Sequence, residues 1–125
     1  MKINSIELYN FGSYEGEARF NTSVTNKQNI ILVGGKNGAG KTTLFTAMRV
    51  CLYGYISMGY KSQNSYYKRA ITKLINNNAK MTRPTDAYVQ MEIQLSNGRG
   101  MDIYRLHRSW VLSDSLTEFY SVEKN

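Results

Sequence analysis

The sequence is short of the residue types that build disulfide frameworks and metal sites. Among its 125 residues it has one cysteine, Cys51, and one histidine, His107. A single cysteine excludes an internal disulfide framework and a cysteine-based zinc cluster, and it fits a reducing compartment. With one histidine as well, we expect no structural metal site. Cys51 falls on a predicted apolar helix face and His107 has no catalytic constellation around it, so both are predicted to be structural.

Long apolar runs are absent too. No stretch reaches the ~20 apolar residues that span a bilayer, and the first residues lack the basic and apolar segments of a signal peptide. We therefore expect a soluble, cytoplasmic chain with no membrane partner. Its length and its 42% hydrophobic content are sufficient for one domain with its own core, residues 1–125.

Acidic residues are missing from the whole segment between Ala18 and Thr85. That segment carries eleven basic residues, whereas the two flanks together carry five basic and nine acidic residues. Such an asymmetry is typical of chains that bind polyanions, such as nucleotide phosphates or nucleic acid. The alternative is a solvated basic face that has no partner.

Hydrophobic periodicity predicts strands on both sides of two helices. Alternation predicts an N-terminal hairpin, from Lys2–Tyr9 back through Glu17–Phe20, and a continuous apolar run at residues 29–33 predicts a buried strand. Apolar residues then recur at helical spacing from Thr42, and Gly54 stands where a glycine would end that helix. A second helix is predicted by the shared face of Tyr67, Ile71, Leu74 and Ile75. An antiparallel meander follows, with strands at residues 87–95, 101–111 and 117–122 and a hairpin signal at Asn97-Gly98.

Residues 35–42 contain the pattern Gly-x4-Gly-Lys-Thr, within the string "LVGGKNGAGKTTLF". The pattern stands between a predicted strand and a predicted helix, which is the context that a phosphate-binding P-loop requires. Its glycines let backbone N–H groups turn inward around anionic oxygens at the positive end of a helix. Lys41 is then expected to reach the β and γ phosphates and Thr42 to coordinate Mg²⁺, while Thr43 packs or caps. The predicted nucleotide-binding residues are Gly35, Lys36, Asn37, Gly38, Ala39, Gly40, Lys41, Thr42 and Thr43.

The stretch from Tyr53 to Lys73 interleaves tyrosines with basic residues. Such a mixture is how single-stranded nucleic acid is commonly held. The other interpretation is a helix whose apolar stripe is core and whose basic residues form the wet face. The candidate DNA contacts are Lys61, Lys68, Arg69 and Lys73. Arg105, Arg108 and Trp110 in the last predicted hairpin are further candidates, although strand packing explains Trp110 equally well.

The residues around the motif resemble a known family. "GKNGAGKTTLF", continued by "TAMRVCLYG", resembles the Walker A segment of SMC and RecN-like DNA-repair ATPases with ABC-type heads, and "MKINSIELYNFGSYEGEARFN" resembles their opening hairpin. More closely, "GGKNGAGKTTLF", "CLYG" and "YYKRAITKLIN" resemble the N-terminal end of the DndD family, the SMC-like ATPases of bacterial DNA phosphorothioation (DNA sulfur modification) systems. The resemblance covers essentially the whole chain.

The resemblance implies an α/β fold, the N-terminal lobe of an ABC/SMC-type ATPase head, that is, a P-loop NTPase with an antiparallel β meander. It implies ATP and Mg²⁺ as cofactors and an ATP-dependent homodimer of heads in the full-length protein. It also implies a coiled coil and the C-terminal half of the same head, with DNA and other subunits of a DNA modification or defence complex as partners. A basic residue often follows the Phe of the opening hairpin in that family, whereas Gly12 follows Phe11 here; Asn10 and Ser13 are the remaining candidates to line the pocket.

Two parts of such a head are missing from this sequence. It has no apolar strand that ends in Asp-Glu, the Walker B element, and no Ser-Gly-Gly signature loop. Asp86, Asp102 and Asp114 do not follow an apolar run and are not assigned that role. We therefore expect the first lobe of a head, a fragment or natural truncation that binds ATP weakly, contains no catalytic residue and does not hydrolyse ATP. The alternatives are a non-catalytic phosphate- or nucleic-acid-binding module and a small P-loop kinase or GTPase, which the antiparallel meanders disfavour.

Overall fold

The computed structural model describes residues 1–21 and 38–125. The elements in chain order are β1 (Lys2–Phe11), β2 (Tyr14–Asn21), α1 (Gly38–Tyr53), α2 (Ser65–Leu74), β3 (Thr85–Asn97), β4 (Gly100–Leu112) and β5 (Leu116–Lys124). Short 3-10 turns follow each helix, at Gly54–Met58 and Ala79–Met81. The strand predicted at residues 29–33 lies outside the described residues.

The described strands form one antiparallel sheet in the order β2-β1-β3-β4-β5. Both predicted parts of this sheet are confirmed: the N-terminal hairpin and the three-stranded meander, each with strands longer than the periodicity indicated. In the centre Met91 pairs with Leu106, and β1 joins the meander through Ile6 opposite Met91. Because side chains alternate across a strand, this register places one parity of residues on each face of the sheet.

The core lies between one face of the sheet and the two helices. The sheet contributes buried residues from four strands, among them Ile6, Leu8, Val89, Met91, Leu106, Trp110 and Leu116. The helix α1 contributes Leu44, Ala47, Val50 and Cys51, and α2 contributes Tyr67 and Ile71. The apolar stripe predicted for α2 is therefore core, as the second interpretation of that stretch requires. Gly54, directly after α1, has φ +58°, which confirms the predicted helix end.

The opposite face of the sheet is polar and aromatic. The Tyr9 and Tyr88 rings stack with centroids 5.3 Å apart, and the His107 ring lies 4.8 Å from that of Tyr88. His107 Nδ1 is 2.9 Å from Gln90 Oε1, so the histidine has a structural hydrogen bond on this face. The structural role expected for His107 is confirmed.

Candidate nucleotide site and basic surface

The first turn of α1 contains five of the residues predicted to bind nucleotide. The helix begins at Gly38, before the start of the apolar periodicity at Thr42, so this turn consists of Gly38, Ala39, Gly40, Lys41 and Thr42. Gly35, Lys36 and Asn37 lie outside the described residues, as do the side chains of Lys41 and Thr42. The N–H groups of a first helical turn have no partner inside the helix, and the helix dipole places partial positive charge there. The turn therefore fits an anionic ligand.

The rest of α1 is fixed by its apolar face, which packs on β1, β3 and β4. Leu44, Ala47 and Val50 are almost completely buried. The Cys51 thiol lies 3.6 Å from the carbonyl oxygen of Val89, and burial raises the pKa of this thiol to about 12. Cys51 is thus a protonated, inaccessible core residue, which confirms the role predicted for it.

Thr43 packs against the turn between β1 and β2. Gly12, in that turn, has φ +60°, and a Cβ atom added there would overlap the Thr43 side chain. Only glycine combines this backbone conformation with such a close approach. The contact places the β1–β2 turn beside the first turn of α1 and explains why position 12 does not carry the basic side chain that the family resemblance led us to expect.

The end of α2 reaches the same turn through hydrogen bonds. The Gly12 N–H donates to the Leu74 carbonyl oxygen at 2.5 Å, and Asn76 Nδ2 donates to the Gly12 carbonyl oxygen at 3.1 Å. The Asn76 N–H also donates to the Asn10 carbonyl oxygen at 2.8 Å. The start of α1, the β1–β2 turn and the end of α2 therefore meet at one corner of the molecule.

Asn10 uses its side chain within this corner. Its Nδ2 donates to the Asp86 carbonyl oxygen at 2.9 Å, and its Oδ1 accepts from the Gly16 N–H at 2.7 Å. The Asn10 amide thus joins both ends of the hairpin to β3, which accounts for its positive φ of 52°. Ser13, the other residue suggested for the pocket, is exposed in the same turn.

A buried ion pair lies at the opposite end of α1. Arg108 Nη1 is 2.7 Å from Glu118 Oε2, and the two side chains are 9% and 3% exposed. Glu118 Oε1 accepts from Trp110 Nε1 at 2.7 Å and also from the Tyr67 hydroxyl. Arg108 Nη2 donates to the Cys51 carbonyl oxygen at 3.3 Å, near the end of α1. This network therefore connects α1, α2, β4 and β5.

The network corrects the sequence-based interpretation of Arg108 and Trp110 as DNA contacts. Both residues are buried, with total exposures of 7% and 0%, so neither reaches a partner. Their parity identifies them in retrospect: they alternate with Leu106 and Leu112 on the core side of β4. Glu118 was missed entirely, although it has the same parity as the buried Leu116 on β5. Arg105, with the other parity, is exposed.

The four candidate DNA contacts lie on or just before α2. Lys61, Arg69 and Lys73 are exposed, whereas Lys68 is half-buried. Arg69 and Lys73 are one turn apart, but Lys68 points about 140° around the helix from Lys73 at 3.6 residues per turn. The structure thus brings Arg69 and Lys73 together on one side of α2 and separates Lys68 from them.

The acidic candidates do not assemble into a metal site. Asp102 lies 3.6 Å from Lys124 Nζ and accepts from Asn97 Nδ2, while Asp86 and Asp114 are exposed. Within residues 1–21 and 38–125, no group of three or more His, Cys, Asp or Glu residues is placed to hold a metal ion. Neither helix described by the structure is long and apolar enough to span a bilayer.

Comparison with known proteins provides the family. A family described as "AAA domain" matches residues 5–125, nearly the entire chain. The chain belongs to the AAA domain family. It is also 32% identical over 108 residues to SbcC, the larger-named component of the SbcCD nuclease, from Staphylococcus aureus (strain MRSA252), an alignment that covers 86% of this chain and 9% of that protein. The chain thus spans about a tenth of the length of the curated relative that it matches.

Both similarities support the broader part of the family resemblance, an SMC- or RecN-like ATPase head, and a P-loop NTPase lobe is consistent with the mixed α/β architecture. ATP and Mg²⁺ are the cofactors that an ATPase of this family suggests. The sheet supports the same class, since all its described strands are antiparallel, whereas small P-loop kinases and GTPases alternate parallel strands with helices.

Proposed function

We propose that this chain is the ATP-binding N-terminal lobe of an SMC-like, DNA-associated ATPase head. The observation that carries the proposal is the Gly-x4-Gly-Lys-Thr motif, whose last residues form the first turn of α1. The similarity to a component of the SbcCD nuclease adds the association with a nuclease, for which we propose DNA as the substrate. A head dimer, a coiled coil and the C-terminal half of the head are part of the same proposal.

The lobe has a division of labour in this proposal. The backbone N–H groups from Gly35 to Thr43 surround the phosphates, Lys41 neutralises the β and γ phosphates, and Thr42 holds Mg²⁺. The Mg²⁺ ion, when bound, neutralises charge on the phosphate oxygens. The contact of Thr43 with Gly12 keeps the first turn of α1 in place, so that its N–H groups are oriented before the nucleotide arrives.

A narrower assignment is to the DndD family of DNA phosphorothioation systems. The strings "CLYG" and "YYKRAITKLIN" support it, because they resemble that family outside the P-loop itself. In this assignment the partners are the other subunits of a DNA modification or defence complex, and the protein acts in the cytoplasm. Co-purification with such subunits from the source cells is the direct test, and a consistent association with a nuclease alone would favour an SbcC-like role instead.

Nucleotide binding tests the proposal directly. Titration of the chain with a non-hydrolysable ATP analogue and Mg²⁺ is expected to show binding that Lys41→Ala abolishes. Lys36→Ala serves as the matched control, because it removes a lysine from the same loop that does not occupy the P-loop lysine position. Equal affinity of the wild-type chain and Lys41→Ala for the analogue would contradict the proposed site.

A further inference from the structure

Tyr66 is a large aromatic side chain that α2 leaves in solvent. It is 63% exposed, whereas its neighbour Tyr67 is completely buried. The helix thus presents one tyrosine to the core and the next to solvent. The core role of Tyr67 explains the apolar stripe of α2 but does not explain Tyr66.

The Tyr66 ring is held by two neighbours. The Tyr60 ring lies nearly parallel to it, with centroids 6.5 Å apart and an interplanar angle of 18°. The Arg69 guanidinium lies 5.9 Å from the Tyr66 ring centroid, within cation–π range. Tyr60 in turn packs edge-on against Tyr67, whose hydroxyl donates to Glu118. The exposed ring pair therefore rests on the buried network rather than on a loose loop.

The charges around this ring pair are all of one sign. Arg69 and Lys73 follow Tyr66 at positions i+3 and i+7, on the same side of α2. Lys61 directly follows Tyr60, and no acidic residue occurs in the sequence between Ala18 and Thr85. The nearest carboxylate in the network, Glu118, is 3% exposed and paired with Arg108. The surface is therefore complementary to a polyanion that also carries flat rings.

We propose that Tyr66 and Tyr60 form a stacking platform for an unpaired base, with Arg69, Lys73 and Lys61 holding the adjacent phosphates. The ligand is single-stranded nucleic acid, because a base in a duplex already has both faces stacked and does not present one to a protein ring. This inference rests on the proposed DNA association and specifies which form of DNA this surface takes.

The test compares a fluorescein-labelled oligothymidylate with a duplex of matched length, by anisotropy at several salt concentrations. Tyr66→Leu is expected to weaken binding of the single strand about tenfold, the loss of one stacked base, and to leave the duplex affinity unchanged. Tyr66→Phe is the matched control, since it keeps the ring and should keep the affinity. Thermal unfolding of each variant confirms that the fold is intact.

Charge variants separate this inference from the DNA association on which it rests. Arg69→Gln with Lys73→Gln is expected to weaken both ligands and to lower the salt dependence of binding, by about one unit of slope for each phosphate that is no longer neutralised. Lys68→Gln removes the same charge from the other side of the helix and should have little effect. If the double variant weakens both ligands but Tyr66→Leu does not affect the single strand selectively, the stacking platform is refuted and the DNA association stands. If neither ligand responds to the double variant, this surface does not bind DNA at all.

Discussion

At the scale of single residues, Glu118 joins more of the buried core than any other charged group in the described structure. It holds the guanidinium of Arg108 in the core, and a buried charge is tolerated only when it is paired and hydrogen-bonded. The second face of that guanidinium lies 3.8 Å from the Tyr120 ring centroid. The pair also supports the end of α1 through the Cys51 carbonyl oxygen. Removing the carboxylate charge should therefore destabilise the whole lobe.

We expect Glu118→Gln to lower the free energy of unfolding by about 3 kcal/mol, because Arg108 is left buried without a counter-ion. Urea denaturation measures the change. Glu123→Gln is the matched control, since Glu123 is exposed on the same strand and its substitution should change stability by less than about 0.5 kcal/mol. Similar losses in the two variants would show that the buried pair contributes nothing beyond a surface charge.

The Cys51 thiol predicts a pH dependence of stability. Its pKa is raised by burial from 9.0 to about 12, so the folded chain keeps the proton at a pH where the unfolded chain releases it. Stability is therefore lost as pH rises above about 9, by at most ~1.4 kcal/mol per pH unit from this group. We expect Cys51→Ala to remove that part of the slope between about pH 9 and about pH 11 in urea titrations.

The difference between wild type and Cys51→Ala isolates the thiol. Burial and the hydrogen bond to Glu118 also raise the pKa of Tyr67, and burial with the hydrogen bond to Glu7 raises that of Tyr88. These groups lower stability at high pH in both proteins, so their contribution cancels. Identical slopes for the two proteins would mean that the thiol titrates normally and is not enclosed as the structure shows.

At the scale of elements, the contact between Gly12 and α1 is the feature that connects packing to the nucleotide site. We expect Gly12→Ala to lower the free energy of unfolding by about 3 kcal/mol, from backbone strain at positive φ together with the overlap with Thr43. The same displacement of the first turn of α1 should weaken binding of the ATP analogue. Urea denaturation and nucleotide titration measure the two effects.

Gly16→Ala provides the matched comparison for this prediction. Gly16 has φ +74° in the same hairpin, but a Cβ atom added there meets nothing within 4 Å. Its substitution should cost about 1 kcal/mol from backbone strain alone and leave nucleotide affinity unchanged. If both variants lose the same stability and bind nucleotide equally well, the approach of Gly12 to Thr43 does not position the site.

Sequence periodicity was sufficient for the elements but not for the contacts between them. The alternation in β3 and β4 and the Asn97-Gly98 turn predicted the meander because one face of each strand is buried and the other is wet. The same alternation did not reveal that a charged residue, Arg108, occupies a core position. Its partner Glu118 lies on another strand, and pairing between distant polar residues leaves no local pattern. The packing of Gly12 on Thr43 was inaccessible for the same reason.

At the scale of the whole molecule, the distribution of charge agrees with a lobe that meets anions on its helical side. Eleven of the sixteen basic residues fall between Ala18 and Thr85, a segment that includes the P-loop motif and α2. The flanking segments carry every acidic residue of the chain. A net positive helical side raises the local concentration of nucleotide and DNA, and it does so more strongly at low salt.

This arrangement supports binding without turnover. Phosphoryl transfer depends on several charged groups acting together around the γ phosphate, and removing any of them costs orders of magnitude in rate. In the proposed head, the Walker B carboxylates and the signature loop come from the C-terminal half and from the opposing head. We therefore expect the 125-residue chain to bind ATP yet release phosphate no faster than the uncatalysed background, in a steady-state phosphate assay.

Adding the missing half in trans completes this last prediction. The C-terminal half of the head, expressed separately and mixed with the chain, is expected to restore phosphate release, because it supplies the groups that orient water and hold Mg²⁺. Lys41→Ala in the chain should abolish the restored activity, which shows that the turnover uses this P-loop. Steady phosphate release by the chain alone, lost on Lys41→Ala, would instead mean that residues 1–125 contain a complete catalytic site, and the proposed division between two halves would be wrong.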